Sequence, residues 1–276
     1  MRNIPNNCHF IWTNKSPLSW LQTLSVISFH RYNPTWKINL FVIKQTPDQL
    51  AENTYVEDYT GEDHFELLAR LNYVNITYLD LIHEGIGTDK HGILASDILR
   101  VRLLYKYGGV YSDLDTLWLR PMSEFKNIKC IGNPEDFETT ACFFELTHGH
   151  HNNSNIISEQ EGNYLRAIIE EQDKIKPPYV DYQTFNTSLL NRMFPVYESI
   201  ISRFPRVIAM DYKTLYPYST FQVDRLFVLE DMFPLDSSAA LGVHWFNGNR
   251  LSKIYVNSGQ YFPCSMTTIL KREGYL

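Results

Sequence analysis

Apolar residues along the chain fall into short runs separated by longer amphipathic stretches. The run CHFIW at 8–12 is followed by Ser16-Pro17 and a helical pattern from Leu18 to about His30, which Pro34 closes. KINLFVI at 37–43 is built of β-formers and predicts a strand. Strand, helix and strand at this spacing predict a βαβ unit and therefore an α/β sheet. A more polar helical stretch over about 47–72 and a strand at NITYL (75–79) continue the alternation. The strongest predicted helix runs from His91 to Tyr107 and stops at Gly108-Gly109. VYSDLDTLWL (110–119) then reads as a strand that ends before Pro121.

The second half carries a weaker pattern. KCIGN (129–133), ACFFEL (141–146), RVIAM (206–210) and ALGVHWF (240–246) predict strands, with helices over 159–174 and 183–194 on either side of Pro177-Pro178. HGHHNNSN (148–155) reads as an exposed polar loop, which makes His148, His150 and His151 surface residues rather than a second metal site. The aromatic cluster YKTLYPYSTF (212–221) reads as core and loop packing rather than as a ligand platform. No repeat or low-complexity linker divides the chain, so a single domain over 1–276 is expected.

Composition narrows the function. With 276 residues, 44% of them apolar and 20% charged, the chain supports a large core and is not globally disordered. Its 25 Lys+Arg against 31 Asp+Glu leave a net charge of −6 with no basic block, which argues against a nucleic-acid partner. Cys8, Cys130, Cys142 and Cys264 stand alone, so neither a zinc knuckle nor a redox dithiol is supported. The amino end lacks a signal-peptide core, and no run approaches the roughly eighteen apolar residues of a membrane span. A soluble, cytoplasmic protein is expected.

Chemistry concentrates in ILASDILRVRLLYKYGGVYSDLDTLWLRPM (93–122). In a strand, Asp113 and Asp115 share one face with Leu114 opposite. Carboxylates that close repel, and a shared divalent cation holds both ionised; hard oxygen ligands favour Mg²⁺ or Mn²⁺ over zinc. Such a cation can bridge a nucleotide diphosphate and stabilise the charge that builds on it as a leaving group. The same short pattern also occurs at ordinary solvated strand ends. An aspartyl nucleophile of the haloacid-dehalogenase kind is disfavoured by Leu117 at the fifth position. Upstream, Asp97 and Arg100 share a helix face with Ile93, Val101 and Leu104. A pair among apolar neighbours is either a structural ion pair or part of a site.

Together these residues resemble the central motif of glycosyltransferase family 32 and of the related sugar-transferring toxins of the large clostridial type. Ser96, Asp97 and Arg100 match its Ser-Asp-x-x-Arg helix; Tyr107, Gly108, Gly109 and Tyr111 match its middle; Asp113 and Asp115 match its Asp-x-Asp. Ile4, Pro5, His9 and Trp12 match the family's opening Ile-Pro-x-x-x-His-x-x-Trp. The close match covers roughly 4–43 and 93–122. Ser112 stands where a larger apolar residue is usual.

The resemblance implies an α/β fold of GT-A type: a mostly parallel, Rossmann-like nucleotide-binding sheet flanked by helices. Its donor half would span about 1–122 and its acceptor half about 123–276. It further implies metal-dependent, retaining transfer from a nucleotide-diphosphate sugar, a UDP-sugar favoured, with Mn²⁺ or Mg²⁺ as cofactor. The implied acceptor is a hydroxyl of a glycan, polysaccharide or lipid-linked saccharide, with peripheral membrane contact left open. By the family pattern Trp12 stacks on the donor's base, although the CHFIW run alone favours a core residue. Ser96, Asp97, Arg100, Tyr111 and Asp113 would bind the donor, with Asp97, Arg100 and Asp113 forming the catalytic group. Asp113 and Asp115 would ligate the metal, joined by His244 or Asn249 of the late segment HWFNGN. Asn153 and Asp181 are expected on the acceptor side. A toxin-like enzyme that glycosylates a protein side chain and a catalytically silent sugar-binding module are the rival readings.

Overall fold

Strand β1 (Asn7–Trp12), helix α1 (Trp20–Tyr32) and strand β2 (Lys37–Ile43) form the expected βαβ unit, with β1 and β2 parallel. The computed structural model describes residues 4–44, 59–86, 92–127, 130–131, 137–143, 151–179, 181, 183–259 and 261–276. Of the helical stretch expected over 47–72, the described part holds only the short α2 (Phe65–Ala69), and residues 45–58 lie outside the description. β3 (Val74–Leu79) follows, then α3 (Gly92–Tyr107), β4 (Gly109–Ser112) and β5 (Thr116–Trp118). Later strands are β6 (Cys130–Ile131), β7 (Thr139–Phe143), β8 (His151–Asn152), β9 (Asn155–Ser158), β10 (Val207–Met210) and β11 (Gly242–His244).

Among the described residues the main sheet has nine strands in the order β3-β2-β1-β4-β9-β7-β10-β6, with β8 beside β7. β3, β2, β1 and β4 are mutually parallel, and β7 and β10 run the same way; β9, β6 and β8 oppose them. The sheet is therefore mixed but mostly parallel, as expected. β5 leaves it to pair antiparallel with β11.

Period-two alternation sets the layers. Phe10, Trp12, Leu40 and Val42 pack with Val26 and Phe29 of α1 on one face, whereas Ile11, Phe41, Ile43 and Tyr111 pack with α3 on the other. Helices thus cover both faces, and the carboxyl ends of the parallel strands are left as the place for a ligand. No described helix is long and apolar enough to cross a membrane.

The stop after α3 is fixed by close approach. Gly108 and Gly109 have φ of +61° and +103°, and a Cβ on Gly109 would lie 2.3 Å from the Asn7 carbonyl oxygen. The same junction is tied to β1 by His9, whose Nε2 lies 2.8 Å from the Gly108 carbonyl oxygen. Gly109→Ala is therefore expected to destabilise the protein by at least about 2 kcal/mol, through strained backbone and a backbone clash. Chemical denaturation against the parent chain measures it, and an unchanged midpoint would refute the packing described.

Candidate active site

The paired aspartates do not lie in a strand. Asp113, Leu114 and Asp115 form the turn between β4 and β5, which corrects the strand expected over 110–119. Alternation therefore does not align the two carboxylates; backbone anchors do. The Asp113 amide donates to the Ser154 carbonyl (2.8 Å), and the Asp115 carbonyl accepts from the Trp245 amide (2.8 Å). Between them, the Leu114 carbonyl accepts from Ser25 Oγ (2.7 Å).

The β5–β11 pairing brings His244 to this turn, since His244 pairs with Thr116, next to Asp115. Potential ligand atoms of Asp113, Asp115 and His244 all lie within 4.8 Å of one another. Asp115 Oδ2 accepts the Asn247 amide at 2.8 Å, which is reached because Phe246 turns the chain with φ +54°. His244 is held between the rings of Tyr216 and Phe246, at 4.8 and 4.6 Å.

The Asp97–Arg100 pair of α3 joins the same cluster. Arg100 Nη2 lies 2.7 Å from Asp97 Oδ1 and 3.5 Å from Asp113 Oδ1. Its Nη1 donates to both the carbonyl and Oδ1 of Asn153, each at 3.1 Å, and its guanidinium sits over the Tyr111 ring. Tyr111 in turn donates its hydroxyl to Asp113 Oδ1 (2.5 Å). Asp97 is only 1% exposed and accepts Asn186 Nδ2 at 3.1 Å. Ser96 is buried on the same helix.

Burial pushes Asp97 up to about 7, with Arg100 opposing and the Asp113 charge adding to the rise. Burial also raises Asp113, reinforced by the neighbouring Asp115 and countered by Arg100. Partial burial would raise Asp115 too, yet His244 and the Asn247 amide outweigh that and hold it below the usual carboxylate range. Burial opposes the charge on Arg100, but Asp113, Tyr111 and Asp97 raise its pKa further. Two neighbouring, half-buried carboxylates thus have their pKa values driven apart.

The donor set of two carboxylates and an imidazole fits a divalent cation, and the two carboxylates favour a hard one. Asp115 Oδ1 is buried without a directed hydrogen bond although His244 Nε2 stands 2.9 Å away, an arrangement a shared cation would satisfy. Asp97 Oδ2 and Arg100 Nε are also buried without a hydrogen-bond partner.

The other sequence candidates fall in several places. Trp12 lies at the carboxyl end of β1, but its ring stacks on Phe65 at 4.8 Å and is 6% exposed, which is the core alternative. Asn249 Oδ1 accepts the Leu251 amide (2.9 Å) and caps the helix Arg250–Asn257, whereas His244 is in the cluster. Asn153 is buried against Arg100. Asp181 is exposed, and its carboxylate accepts the Gln183 amide and Ser188 Oγ.

The polar stretch 148–155 is corrected as well: His151 is buried with Nε2 2.8 Å from the Phe194 carbonyl oxygen, and Asn153, Ser154 and Asn155 are buried with it. His148 and His150 lie outside the described residues. Asn153 holds Arg100, Ser154 holds Asp113, and Asn155 Nδ2 donates to Thr116 Oγ1 (3.1 Å), so three consecutive residues join the α3 pair to the aspartate turn. Sequence reasoning missed Asn186 and Tyr216. Tyr216 is buried at His244 and donates its hydroxyl to Asn152 Oδ1 (2.6 Å). The one available signal was that NNSN is followed directly by the apolar pair of β9, and strand residues next to a core need partners for their polar groups.

A family model described as "Glycosyltransferase sugar-binding region containing DXD motif" matches residues 1–138, half of the chain. No curated protein matches the sequence. Solved structures similar to it include the PaToxG glycosyltransferase, 15% identical over 73% of this chain and 70% of that one, with a TM-score of 0.47. The glycosyltransferase GlyE of Streptococcus pneumoniae TIGR4 is 11% identical over 99% of this chain and 61% of that one, with a TM-score of 0.49. Mouse xyloside xylosyltransferase 1 is 11% identical over 86% of this chain and 96% of that one, with a TM-score of 0.45.

Proposed function

The chain belongs to the family of glycosyltransferase sugar-binding regions containing a DXD motif, and from that premise we propose that it is a metal-dependent, retaining transferase. It moves a sugar from a nucleotide-diphosphate sugar, preferably a UDP-sugar, to a hydroxyl of a glycan or lipid-linked saccharide. The observation that carries this reading is the Asp113–Asp115–His244 cluster set against the buried Asp97–Arg100 pair.

Asp113, Asp115 and His244 would hold the cation, Mn²⁺ or Mg²⁺, which when bound neutralises charge on a departing diphosphate. Arg100 adds fixed positive charge in a water-poor site, where it acts on developing negative charge more strongly than it would in water. Asp97 and Asp113 present carboxylate oxygens to donor hydroxyls, and the Tyr111 hydroxyl fixes the rotamer of Asp113. The acceptor hydroxyl would lose its proton to the leaving phosphate on the same face, so no covalent intermediate on the protein is required. Residues 1–122 supply most of the donor side in this reading; His244, Asn153 and Asn186 complete it from the remainder, which otherwise faces the acceptor. Trp12 would need to part from Phe65 to stack on a base.

Hydrolysis of a panel of UDP- and GDP-sugars without acceptor, in Mn²⁺ or in EDTA, tests the proposal. Release of nucleotide from one UDP-sugar is expected in Mn²⁺ and not in EDTA. Turnover of a GDP-sugar instead would reverse the base preference. A folded protein that binds none of these donors would be a silent module, and the proposal would be lost.

A further inference from the structure

Four hydrogen bonds anchor the backbone of the turn that carries the two aspartates, one of them the local bond from Ser112 Oγ to the Asp113 carbonyl (3.2 Å). The Asp113 amide is held by Ser154 and the Asp115 carbonyl by Trp245. The middle residue, Leu114, has its carbonyl held by a single side chain from the opposite side of the protein in sequence, Ser25 Oγ on α1. Ser25 is 0% exposed. Serine in a buried helix interior is ordinarily a poor choice, because its hydroxyl competes for helix backbone and contributes little apolar contact. Here that hydroxyl bridges to another element.

The surrounding bonds show a face of α1 dedicated to this segment. Ser28 Oγ accepts the Trp118 amide (3.0 Å) and donates to the Ser25 carbonyl (3.2 Å). Trp118 Nε1 donates to Ser112 Oγ (3.2 Å), which accounts for a small hydroxyl residue immediately before the turn. Asn33 Oδ1 accepts the Met122 amide (2.8 Å). The bonds of Ser28 and Asn33 fall on β5 and beyond; Ser25 alone among them reaches the turn itself.

The peptide group between Leu114 and Asp115 is planar, so the direction of the Leu114 carbonyl fixes the direction of the Asp115 amide and, through it, the Cα from which the Asp115 side chain leaves. We infer that Ser25 is a positioning residue for the aspartate turn: by fixing the Leu114 carbonyl it sets the separation of the Asp113 and Asp115 carboxylates, and hence the affinity of the site for a divalent cation. This rests on the proposed metal-binding role of that pair. Removal of the hydroxyl leaves a buried carbonyl with no partner, and the turn then rotates to relieve it.

The test is Mn²⁺ binding, followed by loss of the free-ion electron paramagnetic resonance signal, with and without UDP. Ser25→Ala is compared with Thr23→Ala, which removes another fully buried hydroxyl from the same helix, one bonded only within it to the Ser19 carbonyl. The Kd for Mn²⁺ is expected to rise about 10–100-fold in Ser25→Ala, the range for loss of a group that orients a ligand, and to stay within about twofold in Thr23→Ala. Ser25→Cys keeps the volume and a weaker donor, folds where the alanine variant does not, and is expected to fall between the parent and Ser25→Ala. If the parent binds Mn²⁺ and the Ser25 variants bind it equally well, the inference fails alone. If the parent binds no Mn²⁺ in either condition, the metal-dependent reading fails and takes the inference with it.

Discussion

Arg100→Ala is expected to cost about 3–5 kcal/mol of stability and to reduce donor hydrolysis by about 10³-fold or more. The stability loss follows from burial: Arg100 lies between Asp97 and Asp113, and its removal leaves the buried Asp97 carboxylate with only Asn186 and the half-buried Asp113 with only Tyr111, and no positive charge between them. The activity loss follows because the guanidinium beside the aspartate turn is gone. Arg100→Lys restores the charge but not the paired donation of Nη1 to Asn153 together with Nη2 to Asp97, so it is expected to recover stability better than activity. The deficit should also depend on pH. Asp97 and Asp113 both have folded pKa values above those of the unfolded chain. Such groups favour the folded state while protonated, and that contribution is lost as pH rises through the folded value, about 7 for Asp97. Without Arg100 both values climb further. The gap between variant and parent should therefore be small near pH 4 and widen beyond pH 7. Urea titrations at the two ends measure it, and a gap independent of pH would mean that the pair is not electrostatically coupled to Arg100.

Much of this arrangement was legible in the sequence because it depends on local periodicity. β1, α1, β2, β3 and α3 are read from apolar spacing, and the Gly108-Gly109 stop from residue type. The Asp97–Arg100 pair was visible as a helix-face coincidence and the aspartates as a motif. Elements set by long-range pairing were not legible. The Asp113–Asp115 segment is flanked by good β-formers, but the chain must leave the main sheet there to pair with β11, and that change of sheet makes a turn. NNSN has the composition of a surface loop, and its burial is possible only because Arg100, Thr116 and Tyr216 bring it partners from distant positions. Asn186 is an ordinary polar residue at the start of the helix Thr187–Met193 until the fold sets it against Asp97. Ser25 carried no sequence signal at all.

Asp115→Asn and Asp113→Asn should abolish metal-dependent transfer alike while shifting the stability of the metal-free protein in opposite directions. Each replacement keeps shape and an acceptor oxygen but removes a charge, so each should lower Mn²⁺ affinity and bring donor hydrolysis to background, a fall of about 10³-fold. Metal-free stability separates them. Asp115 has a depressed folded pKa, held by His244 and the Asn247 amide, and such a group stabilises the folded state above its unfolded value and ceases to as pH falls through the folded one. Asp115→Asn should therefore be less stable than the parent at neutral pH and converge with it in strong acid. Asp113 has a raised folded pKa, from burial and the neighbouring Asp115 charge, so its ionisation opposes folding at neutral pH. Asp113→Asn should accordingly be at least as stable as the parent there. Added Mn²⁺ stabilises only the chain that binds it, by RT ln(1 + [Mn²⁺]/Kd), so it should raise the melting temperature of the parent and of neither variant. A structural ion network predicts the reverse pattern: both replacements destabilise, and Mn²⁺ moves none of the three melting curves. A site in which one carboxylate is held ionised and the other is strained by its charge is instead what a cation, arriving with a donor diphosphate, would relieve.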